Sequence, residues 1–546
     1  MEKRLSHRAV SIMSAIVLIV VGAVPVPGQM HHHGMDTLGV VEFPVSCGKQ
    51  SQTEFNQAMT LFHHMTYPQA REAFQKIAER DSGCAMAYWG IAMTLFQPVW
   101  PTRPGPRELQ RGWDAVEKAK SLNAPTERER LLIASAEGFF RAPKSGDYWK
   151  RIHGWADGME KAHAAFPDDR EVSALYALAL LATAPPDKIS SPNNDRAAEL
   201  LLRILKENPR HPGAMHYLIH ANDVPGREHE SLEILRAYEA IAPHNPHALH
   251  MPTHIYTRLG NWKEVIRGNI KAADAALEFP AGDHGQYIWD EFPHAIEYLI
   301  YAYLQTGNDD AAAEQLKRLH GTAGLEPSFK TAFHFSSTKA RYALERKKWA
   351  EAASIVPREP GTVNWDRFPW AEAISWFAHG LGSVHQGDSA EAQKSVQRIL
   401  ELEAKAVSAN EVLFARHIGV LRLGLTAWLK DLEGKRDSGL VLMRQAAALE
   451  ASTPKHPVTP AGTIPAYELL GDLLLKQGKG LEASDAYRRS LEMNPLRFNS
   501  LWGAARAARS TDSLQAAAGF YRQLTEVAGA DSRREGLLEA RGFLPR

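Results

Sequence analysis

The sequence predicts an all-α solenoid of stacked helical hairpins, and three observations carry that prediction. Residues 464–497 place Tyr467, Leu470, Gly471 and Leu474 on one helical face. Ala483, Tyr487 and Ser490 follow on a second face, and Pro495 stops the unit. This alternation of large and small residues over 34 positions fits two antiparallel helices, the small positions letting them approach and the large ones filling the gap. Residues 498–531 repeat the register without a gap, with Leu501, Ala504, Ala505, Ala508, Ala517 and Tyr521 in the same slots. The composition agrees: 44% hydrophobic and 23% charged, rich in good helix formers. No stretch sustains the alternation of a strand, so no sheet is predicted.

These slots are those of the tetratricopeptide repeat, whose units stack into a right-handed superhelix. Looser units precede them. Residues 51–84 place Ala70 and Phe74 on their second helix, and the next helix carries Tyr88, Ile91 and Ala92 in the first-helix slots. Residues 246–279 place Tyr256, Gly260 and Ala272, and residues 293–326 place Tyr303, Gly307 and Ala312. Weaker units begin near 212, 333, 373 and 420. Residues 105–205 read as helical but out of register. Two insertions interrupt the array, at 184–194 and 279–292. The expected organisation is a signal peptide (1–28), an extended segment (29–50), an N-terminal array (51–332) and a C-terminal array (333–546).

Lys3, Arg4 and Arg8, an apolar run from about Val10 to Val24, and the breaker Pro25-Val26-Pro27-Gly28 form an export signal. Cleavage falls after Ala23 or Gly28; the other reading is an uncleaved anchor, which the short run disfavours. No second membrane segment is predicted. Export places the chain in the periplasm or outside the cell. There the only cysteines, Cys47 and Cys84, are expected to pair, the alternative being two buried thiols. The loop would be worth about 3–4 kcal/mol on the chain-entropy account. Lys plus Arg equals Asp plus Glu at 63 each, so no nucleic-acid partner is predicted.

Four segments carry a family resemblance: Val41-Glu42-Phe43-Pro44-Val45-Ser46-Cys47, the run Cys84 to Met93, His216-Tyr217-Leu218-Ile219-His220, and the run His247 to Ile255. They are similar to a family of bacterial exported tetratricopeptide-repeat proteins, and the likeness runs from about 36 to 305. It implies a fold and lends no catalytic residues.

The chain holds 24 histidines, and their placement suggests a site. In the repeat, positions 2, 5, 9, 12 and 13 of the first helix face the concave groove. Counting from 212, 246 and 293, these slots take His216 and His220, His250 and His254, and His294, Glu297 and Tyr301. His334 takes such a slot in the next unit, His63 in the first, and Trp89 in the second. Partners three or four apart share a helix face.

Two chemistries follow. His63, Trp89, His216, His220, His250, His254, His294, Glu297 and Tyr301 could line a groove that holds a peptide, protein or small ligand. Alternatively, His216, His220, His250, His254, His294 and Glu297 could ligate Zn or Cu in a metal-binding protein or metalloenzyme, with Asp223 orienting His220. The binding scaffold is the primary expectation. Other features are read as structural: His31-His32-His33 as a polar tail, His63 or His64 as core, and Trp365, Trp370 and Trp376 as core aromatics. His247, in the turn before its helix, is within reach of the groove. No His-Glu-x-x-His, phosphate-binding glycine loop, Gly-x-Ser-x-Gly elbow or nucleophilic cysteine context occurs, so no catalytic residue is assigned.

Overall fold

Successive helices pair as the 34-residue register requires. Ala466–Lys476 packs on Gly480–Met493, Phe498–Ser510 packs on Leu514–Val527, and Glu535–Phe543 caps that end. The Tyr487 ring is fully buried between two glycines. A Cβ built on Gly471 would lie 2.7 Å from that ring, and one on Gly503 2.3 Å from it. The small slot therefore exists so that a large side chain can enter. Gly260 and Gly307 end their first helices with φ of +66°, the left-handed conformation that closes a helical turn at no Cβ cost.

The computed structural model describes residues 38–544, apart from 101, 145, 283, 284, 530 and 531. The export signal and His31-His32-His33 lie outside the described residues. The described residues form one compact unit. The stretch read as out of register is an ordinary part of the array: Glu127–Phe140 packs on Tyr148–Ala165, and Arg170–Ala182 on Pro192–Glu207. In the first of these pairs the backbones nearly touch, a Cβ on Gly138 falling 2.3 Å from the Gly154 carbonyl oxygen. Val412–Leu432 is long and apolar enough to cross a membrane, yet 61% of its apolar window is buried in the array. The expectation of no sheet needs one correction. Within the 279–292 insertion, Pro280–Ala281 pairs antiparallel with Tyr287–Ile288, a minimal ribbon closing the excursion.

The segment 452–465 crosses the first-helix face of the middle repeats as a strap, tied there by long-range bonds. Arg341, fully buried, donates to the carbonyls of Ala461 and Gly462 and to Thr459. Tyr298 donates to the Pro457 carbonyl at 3.2 Å, and Lys455 pairs with Asp223 at 3.0 Å. Further along, buried Arg497 bridges Glu345 and Glu468 at 2.9 Å each and reaches the Tyr301 hydroxyl. Near the other end Arg103 joins Glu411 at 3.0 Å. These charges stay buried because each is paired.

Cys47 and Cys84 form a disulfide across 37 residues of chain. It pins the entry segment so that Phe43 packs on Phe55 and Trp89, ring centroids 5.2 and 5.5 Å away. Opening it, by C47S with C84S, is expected to lower unfolding free energy by about 3–4 kcal/mol, read as a lower urea midpoint than the oxidised parent. Gly471→Ala, forced against Tyr487, is expected to cost about 1–3 kcal/mol in the same assay; a neutral result would refute the close-packed reading of that slot.

Candidate metal centre

The first helices of three consecutive repeats bring imidazoles into one buried core. Pro212–Asn222 carries His216 and His220. The next first helix is broken in two, because Pro252 has no N–H to continue it; Pro246–His250 carries His247 and His250, and Pro252–Arg258 carries His254. Glu291–Gln305 carries His294, and Phe329–Leu344 adds His334. All seven are at least nine-tenths buried.

Each Nδ1 that faces an acceptor is fixed by it. His216 Nδ1 lies 2.7 Å from the His63 carbonyl oxygen, and His247 Nδ1 lies 2.9 Å from Glu291 Oε1. His254 Nδ1 lies 3.0 Å from Asp223 Oδ2, and His250 Nδ1 2.7 Å from Asn269 Oδ1. Asn269 Nδ2 donates to the Val265 carbonyl, so its oxygen is the atom that faces His250. All four partners are acceptors, and each Nδ1 must therefore carry the proton.

The carboxylates stay ionised. Burial pushes Asp223 up, but Lys455, Arg258 and His254 hold it well below the usual carboxylate range. Burial is likewise outweighed at Glu291 by Lys330 and His247.

That tautomer leaves every Nε2 bare. His216 Nε2 faces His247 Nε2 at 3.1 Å, and His250 Nε2 faces His254 Nε2 at 2.9 Å. Two lone pairs opposed at this distance repel. His220 Nε2 is buried with no hydrogen-bond partner. Glu297 accepts from His334 Nδ1, which leaves His334 Nε2 to accept from His294 Nδ1 at 3.2 Å, so His294 Nε2 is bare as well. A shared proton would need an imidazolium here. Burial, then neighbouring imidazoles, pushes His216 and His250 well below the ordinary histidine range.

Among the described residues, ring nitrogens of His216, His220 and His247 lie within 4.8 Å of one another, as do those of His250, His254 and His294. A third group, His63, Glu171 and His211, meets the same distance test but resolves differently. His211 Nδ1 accepts from the Ala214 N–H, which leaves the proton on Nε2, 3.3 Å from Glu171 but outside hydrogen-bond geometry. His63 bonds Glu171 at 2.9 Å and the Tyr217 hydroxyl at 3.0 Å. Its one proton goes to Glu171 while Nδ1 accepts from the Tyr217 hydroxyl, so both nitrogens are met and the group is a structural knot. The group Cys47, Asp81 and Cys84 is spent in the disulfide.

Several expectations are corrected. The space beside the imidazoles is smaller than a peptide: the cavity there measures about 20 Å³ and is lined by Val99, Trp100, Pro457 and Val458 as well. Trp89 is core, packed on Phe43 and donating to the Leu132 carbonyl. His63 belongs to the Glu171 knot, and His64 is core too, bonded to Tyr238 and the Leu38 carbonyl. Glu297 positions His334 and pairs with Arg341 instead of facing the centre. Tyr301 packs on Trp262 and meets Arg497. Asp223 holds His254, not His220.

Trp370 is buried on Phe333 and His417, whereas Trp376 is only half-buried. Residues the repeat register did not assign include Asn269, Glu291 and Lys330; the spacing His247-x-x-His250-x-x-x-His254 was the available signal for His247.

Residues 469–532 match the family described as Tetratricopeptide repeat. Over that segment the chain carries tetratricopeptide repeats. No curated protein matches. Among solved structures, the crystal structure of the APC/C hetero-tetramer Cut9-Hcn1 is similar over 91% of this chain and 90% of that one, at 11% identity and a TM-score of 0.31. That likeness is too loose to carry an argument. Tetratricopeptide arrays generally offer extended surfaces to protein partners.

Glu171→Ala strips the acceptor from two buried imidazoles and is expected to cost about 2–4 kcal/mol, measured by urea unfolding, with no dependence on added metal. A destabilisation that metal reverses would place that group with the other two.

Proposed function

We propose that this repeat protein binds a transition metal in its histidine core, and that it is exported to an oxidising compartment. The observation that carries the metal reading is the pair of opposed Nε2 atoms in each half of the core, all four fixed as lone-pair donors by acceptors on Nδ1. A cation between such atoms turns repulsion into ligation. Two nitrogens each about 2.0–2.1 Å from one ion stand about 2.9–3.4 Å apart at the angles of common coordination geometries, which brackets both separations. Imidazole-only ligands suit Zn or Cu. The Nδ1 partners are the outer supports that such ligands require. Export is supported by the basic-apolar-breaker start and by the Cys47–Cys84 pair.

The test is elemental analysis of the full chain, expressed without an affinity tag and with His31-His32-His33 replaced by Ser. Bound Zn or Cu is expected, surviving dialysis and lost in H250A/H254A. Asn269→Ala, which frees the His250 ring, is expected to weaken metal binding about 10–100-fold while circular dichroism stays helical. A metal-free chain that also refuses Zn²⁺ and Cu⁺ on reconstitution overturns the reading.

A further inference from the structure

We propose that the core holds two metal ions, one on His216, His220 and His247 and one on His250, His254 and His294, and that both ions face a single small cavity that admits one water-sized oxygen-donor ligand. This rests on the metal reading above and goes beyond it in number, arrangement and ligand.

The argument starts from the count of bare nitrogens. One ion in a tetrahedral protein site takes at most four ligands, and here five imidazoles have a bare Nε2 while a sixth, His220, has a buried Nε2 with no hydrogen-bond partner. They fall into two sets of three, each within 4.8 Å. Each set contains one opposed pair, so relieving one pair leaves the other. Each set is also supported separately: the first by the His63 carbonyl and Glu291, the second by Asn269, Asp223 and the Glu297–His334 relay. Three protein nitrogens leave a coordination position open, the arrangement that distinguishes reactive sites from closed structural ones.

Both sets open on the same space. His220 and His247 of the first set and His254 and His294 of the second line one cavity. Its volume, about 20 Å³, exceeds the roughly 10–15 Å³ needed for one water and excludes anything much larger. Its other walls are Val99, Trp100, Met251, Pro457 and Val458, and Lys330, whose ammonium is paired with Glu291 at 2.7 Å and Asp290 at 3.1 Å. A ligand shared between two ions is held as two-metal sites hold an attacking or leaving oxygen.

The test uses the same tag-free, full-length chain. Titration with Cu²⁺ is expected to saturate at two equivalents. H216A/H247A and H250A/H254A are each expected to retain one, with helical circular dichroism unchanged. In the two-ion protein a shared oxygen ligand couples the copper spins, so the mononuclear electron paramagnetic resonance signal should integrate to less than half of the copper bound, and each double variant should recover full intensity. Saturation at one equivalent, abolished by either double variant, overturns the two-ion inference and leaves a single metal site standing. Two equivalents with full spin intensity overturn the shared ligand. No binding at all removes the metal reading itself.

Discussion

The site depends on one constraint: an imidazole has a single proton when neutral, and here an acceptor claims it at Nδ1. A backbone carbonyl, an amide oxygen and two carboxylates do this for His216, His250, His247 and His254. The opposite nitrogens are then bare wherever the helices point them, and the helices point them at each other. Burying such groups unmet costs free energy. The knot at His63, Glu171 and His211 shows how the same fold treats histidines that serve structure, with a carboxylate set between the two rings at 2.9 and 3.3 Å. The contrast between these neighbouring groups lies in proton bookkeeping and not in distance, since all three pass the same spacing test.

The solenoid makes this arrangement possible because each repeat contributes a first helix at a regular spacing to one surface. Close packing at glycines such as Gly471 and Gly503 sets that spacing. An open concave face would leave the imidazoles in water, where spare lone pairs cost nothing. The strap at 452–465 and the residues around Trp100 cover that face, and the imidazoles are at least nine-tenths buried. The strap is held in turn by Arg341, Tyr298 and Lys455, each bonded more than a hundred residues away in sequence. Lys455 reaches Asp223, so the segment that closes the core also stabilises the carboxylate that holds His254.

Much of this was legible in the sequence where the information is local. The 34-residue register located Tyr487 against Gly471 and the turn glycines at 260 and 307. The three- and four-residue spacing of His216, His220, His250 and His254 put them on a shared face. The register failed where distant segments decide. Trp89 occupies a groove slot by count, but the disulfide-pinned entry segment lays Phe43 over it and makes it core. Glu297 counts as a ligand, yet His334 from the following repeat and Arg341 take both its oxygens. Asp223 sits one turn from His220, but His254 from the following repeat takes its carboxylate. The strap has no repeat signature at all, so an open groove was the natural expectation.

X-ray absorption at the metal edge of the purified full-length protein tests the central claim most directly. The account predicts a first shell of light atoms alone at about 2.0–2.1 Å, with the multiple-scattering pattern of three imidazoles per ion. A shell dominated by sulfur or carboxylate oxygen, or no edge above background after metal reconstitution, would contradict it.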